Sequence, residues 1–298
     1  MRTSTADPGM RGDSGMLGAG MATHDLGRIG VWQAYPVATP EGVAELEQLG
    51  YGTLWLGASP SPDWDGFETL LAATEHITIA SSIVNVWASS AKTAAENFHR
   101  LEARYPGRFL LGIGIGHPEH DSAFTKPYDA LVNYLDELDE EGVPKERRAL
   151  AALGPKVATL SRDRTAAALP YLTVPEHTAS LRALLGPDAL IATEHKALLD
   201  DDPDSARVKA RTTVGFYLGL SNYTNNLRRF GFTDEDLTAP GSDRVVDALV
   251  AHGTPESVAD QLTAHLRAGA DHVAVQALDH DPLPALRTLA PLLTERAG

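Results

Sequence analysis

Residues Ile77–Gly116 read ITIASSIVNVWASSAKTAAENFHRLEARYPGRFLLGIGIG. A bounded apolar run comes first, Ile77–Val84. A stretch with helical spacing follows, Thr93–Arg104, and then a second apolar run, Phe109–Gly116. Two short apolar runs around a helical segment are the pattern of parallel strands buried on both faces and joined by a crossover helix.

The same unit repeats in both directions. Ile29–Gln33 and Thr53–Gly57 precede it; Ala149–Gly154, Ala168–Val174, Leu190–Ala192 and His272–Leu278 follow. Thr39-Pro40-Glu41, Val174-Pro175-Glu176 and Thr254-Pro255-Glu256 each open a helical stretch. Proline there forgoes an N–H that had no partner, and the acid faces the positive end of the helix dipole. Thr173 with Glu176 reads as a capping box. Gly50, Gly107, Gly186 and Gly269 sit where a helix must reverse into a strand, a position that favours a left-handed residue. Eight strands alternating with helices predict the α/β class and a (β/α)8 TIM barrel rather than an open sheet. The seventh connection, Asp200 to Gly253, is long enough for two or three helices. Residues 25–298 read as one barrel domain. Residues 1–24, rich in Gly, Ser and Met, read as a disordered tail ahead of a start at Met21.

Composition narrows the chemistry. The chain of 298 residues has no cysteine, which removes disulfides, thiolate metal sites and a cysteine nucleophile. A net charge of −15 opposes nucleic-acid binding. No apolar stretch approaches the roughly 20 residues a membrane helix needs. A cytoplasmic enzyme acting on a small molecule is the expectation.

The candidate site residues cluster at predicted strand ends, where a barrel carries its catalytic groups. Leu110-Leu-Gly-Ile-Gly-Ile-Gly-His117-Pro-Glu-His120 places alternating glycines at the end of strand four. Gly114 and Gly116 clear one face for a flat ring or a phosphate; the competing reading is tight packing inside the barrel. His117 follows as a proton-transfer candidate, with an ordinary pKa near 6.5 suited to that work; the alternative is a hydrogen-bonded loop histidine. His117 and His120 beside Glu119 and Asp121 lack a placed third ligand, so no metal is assigned. Strand three turns polar at its end, with Ser82, Ile83 and Asn85. Trp32, Trp55 and Trp87, at successive strand ends, are candidates to line a pocket for an aromatic ligand. Gly154, Pro155 and Lys156 open a helix after strand five, where free N–H groups and a cation suit a phosphate. Ser221–Arg229, a polar run ending in two arginines, suggests either a subunit contact or closure over the barrel.

These segments resemble the luciferase-like monooxygenase superfamily, and within it the coenzyme F420-dependent oxidoreductases of actinobacteria. The resemblance spans about Leu26 to Leu278. It rests on Ile77–Trp87, Gly107–His117, Ala151–Lys156, Asn222–Thr233 and Gly269–Gln276. It implies a barrel with a helical insertion after strand seven, and a non-proline cis peptide at Ser82–Ile83 behind a flavin-like ring. It also implies F420 as cofactor, with phosphate held near Gly154-Pro155-Lys156, and His117 beside the reactive ring where some relatives carry glutamate. A homodimer is implied as well. The activity implied is hydride transfer between F420 and an organic substrate. The alternatives are an FMN-dependent monooxygenase using reduced flavin and oxygen, and a non-catalytic flavin- or deazaflavin-binding protein.

Overall fold

In the computed structural model the described residues are 26–57, 64–119 and 126–297. The expected tail at 1–24, His120 and Asp121 lie outside them. The strands are β1 (Ile29–Ala34), β2 (Thr53–Gly57), β3 (Thr78–Ser82), β4 (Val84–Asn85), β5 (Phe109–Gly114), β6 (Arg148–Ala151), β7 (Ala167–Leu169), β8 (Leu190–Leu198), β9 (Val250–His252) and β10 (His272–Ala277). All pairings are parallel. The order runs β1, β2, β3 with β4, β5, β6, β7, β8, β10 and back to β1. β3 and β4 are two halves of one barrel strand, interrupted at the cis Ser82–Ile83 peptide. The result is the closed eight-stranded (β/α)8 barrel, with β9 added beside the end of β8.

Alternation along the strands sorts side chains between two cores. Val31, Leu54, Ile79, Leu111, Ile113 and Val273 face outward into the layer against the helices. Inside the barrel the residues are small: Ala80, Ala149, Ala167, Ala192 and Ala274, with Trp55, Leu110 and Leu169 filling the centre. Small inward residues leave the upper barrel open, and the site occupies that space.

Local chemistry sets the helix starts. Thr39 accepts from the Gly42 amide ahead of helix Pro40–Gln48, and Thr254 from the Ser257 amide ahead of Pro255–Arg267. The four cap glycines all adopt positive φ. Three expectations need correcting. Helix Pro175–Leu185 is capped by Val174 with no side-chain bond, because the Thr173 hydroxyl turns inward to Thr193 Oγ1 at 3.3 Å. The capping box is at Thr233 and Asp236 instead. β8 runs on to Leu198, well past the expected end at Ala192; its ionisable residues broke the apolar pattern but find buried partners. The seventh connection carries four helices, Pro203–Leu218, Ser221–Arg229, Asp234–Leu237 and Asp243–Leu249. They share a core with Leu172, Val174 and Leu198 at the barrel mouth. No helix among the described residues is long and apolar enough to cross a membrane.

Candidate active site at the barrel mouth

Two adjoining cavities open at the C-terminal ends of the strands. The smaller, about 160 Å³, lies over the barrel axis between Trp32, Trp55, Ala192, Glu194 and Ala274. The larger, about 530 Å³, runs from the ends of β4, β5 and β6 to helix Ser221–Arg229. Ile83, His117, Leu169, Tyr171 and Tyr223 border both.

The cis bond sets Ile83 between the two cavities. Beside it, Trp32 Nε1 donates to Ser82 Oγ at 3.1 Å, which fixes the indole against the end of β3. The glycines of the stripe differ in their surroundings. A Cβ on Gly112 would stand 1.9 Å from the Ser81 carbonyl oxygen, so that glycine serves strand packing. Gly114 and Gly116 border the larger cavity. A Cβ on Gly114 would press on Ile83 at 2.8 Å.

His117 is half-buried at the turn after β5. Its Nδ1 lies 3.1 Å from Asn222 Oδ1, and its ring packs on Tyr223 with centroids 5.3 Å apart. Glu119 Oε1 accepts from the Ser221 amide, joining the same loop to the start of the same helix. The polar run from Ser221 to Arg229 therefore closes over the barrel.

Three of the expected residues do not line either cavity. Trp87 lies outside the lining of either cavity; its Nε1 donates to the Ile115 carbonyl and its amide to Asn85 Oδ1. Asn85, Gly154 and Ile83 do line the larger cavity, but Pro155 and Lys156 do not. Lys156 is exposed, with its ammonium 3.6 Å from the centroid of the Tyr128 ring. In the first turn of its helix Lys156 stacks over Tyr128 instead of lining the cavity, which spacing alone did not show.

The cation at the cavity is Arg229. Within the insertion Arg207, Lys209, Arg211, Arg228 and Arg244 each hold an aspartate, whereas Arg229 has no ion pair among the described residues. Asn226 lines the same wall, is 3% exposed, and has both side-chain polar atoms buried without a hydrogen-bond partner. Buried amides left this way are rare in folded proteins and call for a ligand or water. Helix Pro155–Arg164 starts at Gly154 without a side-chain cap, so its first N–H groups also await an acceptor. These donors and the flat, glycine-lined wall fit a phosphate-bearing ring cofactor. Among the described residues no group of three or more His, Asp or Glu could hold a metal.

A third group of site residues was missed in the sequence. On β8, Lys196 Nζ lies 2.9 Å from Glu194 Oε1, with the side chains 0% and 4% exposed. The Leu172 amide donates to Glu194 Oε2, and the lysine ammonium lies 4.1 Å from the centroid of the Tyr171 ring. The Tyr171 hydroxyl is 2.7 Å from that of Tyr217 and 2.9 Å from Gln276 Oε1. Burial pulls the Lys196 pKa down against the opposing effect of Glu194. It pushes the phenols of Tyr171 and Tyr223 well above the ordinary range. The usable signal was Glu194-His195-Lys196 interrupting an apolar run, since charged residues inside a strand must be paired or functional.

Residues 21–140 match the family model for the luciferase-like monooxygenases. No curated protein sequence matches the chain. Among solved structures, an F420-dependent secondary alcohol dehydrogenase bound to an F420–acetone adduct superposes with a TM-score of 0.73 at 13% identity, covering 91% of this chain and 99% of that one. The coenzyme F420-dependent tetrahydromethanopterin reductase of Methanopyrus kandleri gives 0.66 at 16%, with 91% and 99% covered. The oxygenating constituent of 3,6-diketocamphane monooxygenase from Pseudomonas putida, in complex with FMN, gives 0.63 at 14%, with 90% and 98% covered. The chain thus carries a luciferase-like monooxygenase match over residues 21–140 and, across nine-tenths of its length, the barrel of that fold.

Proposed function

We propose that the chain is an F420-dependent oxidoreductase that moves a hydride between the deazaflavin and a small organic substrate. The observation that carries this reading is the position of His117, which borders both cavities beside the cis Ser82–Ile83 bond. A cofactor ring in the larger cavity and a substrate in the smaller would meet there.

The deazaflavin, when bound, would supply two-electron hydride chemistry; the protein orients, shields and moves protons. Ile83, Gly114 and Gly116 would back the ring. Asn226, Arg229 and the N–H groups after Gly154 would hold its phosphate. Trp32, Trp55 and Leu169 would keep water from the substrate. His117, held through Nδ1 by Asn222, would exchange the substrate proton through Nε2. Two of the compared structures are F420-dependent enzymes and a third is in complex with FMN, so the choice of F420 rests on the sequence resemblance.

The test is titration of the purified protein with F420 and, separately, with FMN, followed by fluorescence or heat. Micromolar binding of F420 with weak FMN binding is expected. The reverse outcome would replace this reading with an FMN-dependent monooxygenase. Cofactor that binds but is never reduced by any alcohol or other hydride donor would leave a binding protein without turnover.

A further inference from the structure

We infer that the buried Glu194–Lys196 pair makes the smaller cavity a site for a compact, uncharged, ring-sized molecule that presents a hydroxyl group to Glu194. This rests on assigning the smaller cavity to substrate in the preceding section.

Size comes first. A cavity of about 160 Å³ is close to the engineered apolar cavity that holds one benzene molecule, about 150 Å³. Much of its wall, from Trp32, Trp55, Ile83, Leu169, Ala192 and Ala274, is carbon surface apart from the tryptophan N–H groups. Both of those are committed: Trp32 donates to Ser82 and Trp55 Nε1 to His272 Nε2. The walls therefore take an apolar body.

Polar groups also line the cavity: Ser82, His117, Tyr171, Tyr217, Tyr223 and a single carboxylate, Glu194. Glu194 borders the cavity, and its two oxygens accept from Lys196 and the Leu172 amide. A carboxylate can accept about four hydrogen bonds, so it retains capacity for a donor from the cavity. Lys196 is fully buried behind it and cancels the charge at 2.9 Å. Such a floor attracts a neutral donor and offers no counter-ion to a charged guest. A carboxylate would meet Glu194 directly and would be repelled. A hydroxyl meets an ionised acceptor, the stronger kind of hydrogen bond.

The probes are cyclohexanol, methylcyclohexane and cyclohexanecarboxylate, with binding followed by ligand-observed NMR on the full chain, with and without F420. Cyclohexanol should bind roughly tenfold more tightly than methylcyclohexane. Cyclohexanecarboxylate should bind more weakly still. The double variant Glu194→Leu/Lys196→Met removes both charges together and leaves neither stranded. Its circular dichroism should match the parent, and its preference for cyclohexanol over methylcyclohexane should vanish. Equal binding of alcohol and hydrocarbon, a preference that survives the double variant, tight carboxylate binding, or no binding of any probe would each overturn the inference. F420 titration is read separately. Cofactor binding without probe discrimination rejects only this inference, whereas discrimination without cofactor binding rejects only the proposed function.

Discussion

His117 Nδ1 and Asn222 Oδ1, 105 residues apart in the chain, lie 3.1 Å from each other on the wall of the larger cavity. With the amide oxygen turned toward the ring, as the structure assigns it, the neutral imidazole carries its proton on Nδ1. That leaves Nε2 as the basic nitrogen. The contact sets both the orientation and the tautomer of the ring.

Replacing His117 with alanine should lower hydride transfer by about 10²–10⁴-fold, the usual worth of a positioned acid–base group. F420 affinity should stay within about threefold, because the residues assigned to the phosphate are elsewhere. Asn222→Ala should cost less, about tenfold in kcat/KM, and should move the pH profile by releasing the tautomer. Stopped-flow reduction of bound F420 across pH checks both, and a His117→Ala variant with normal turnover would remove the catalytic assignment.

Arg229→Ala should weaken F420 binding by about tenfold or more, and salt should weaken wild-type binding in the same direction. Lys156→Ala should change it by less than about threefold, since a solvent-exposed cation over Tyr128 contributes little at a distance. Parallel titrations of the two variants decide which cation serves the phosphate.

Gly112→Ala and Gly114→Ala should fail differently. At Gly112 the new methyl meets a backbone carbonyl, and melting should report a loss of about 3 kcal/mol or more. At Gly114 the obstacle is the Ile83 side chain, which can shift toward the cavities. The fold should survive with a smaller loss, while cofactor affinity falls. The comparison separates packing from binding along one strand.

The Glu194–Lys196 pair predicts a non-additive pattern of stability. Lys196→Met alone strands a buried carboxylate and should cost about 3–5 kcal/mol. The double variant with Glu194→Leu should cost much less. Chemical denaturation of the single and double variants gives the coupling directly.

Acid should destabilise the fold in a defined window. His195 and His272 are buried, and burial lowers each pKa to about 4; burial also holds His265, bonded to His195 at 3.0 Å, well below its ordinary range. Folded, these rings stay neutral at pH values where the unfolded chain binds protons. Stability should therefore be full above about pH 6.5 and decline as pH falls toward 4, by about 3 kcal/mol for each of His195 and His272. Denaturation midpoints between pH 8 and 4 test this, and His272→Asn should flatten part of the slope.

The alternation of strand and helix, the cap glycines and the proline-led helix starts were legible in the sequence because they answer to neighbours within a few residues. Gly114, Gly116 and His117 were legible for a related reason. The end of a barrel strand faces the mouth wherever the strand lies. The family likeness located the cis bond, which no local pattern revealed. The pairing of His117 with Asn222, the substitution of Arg229 for Lys156 at the cavity, the displacement of Trp87, and the convergence of Glu194, Lys196 and Tyr171 were decided only by tertiary structure. Each depends on strand register and on how the insertion packs over the barrel. Those contacts join segments about 20 to 100 residues apart, and they place charges in the interior where a local reading of hydropathy had ended the strand.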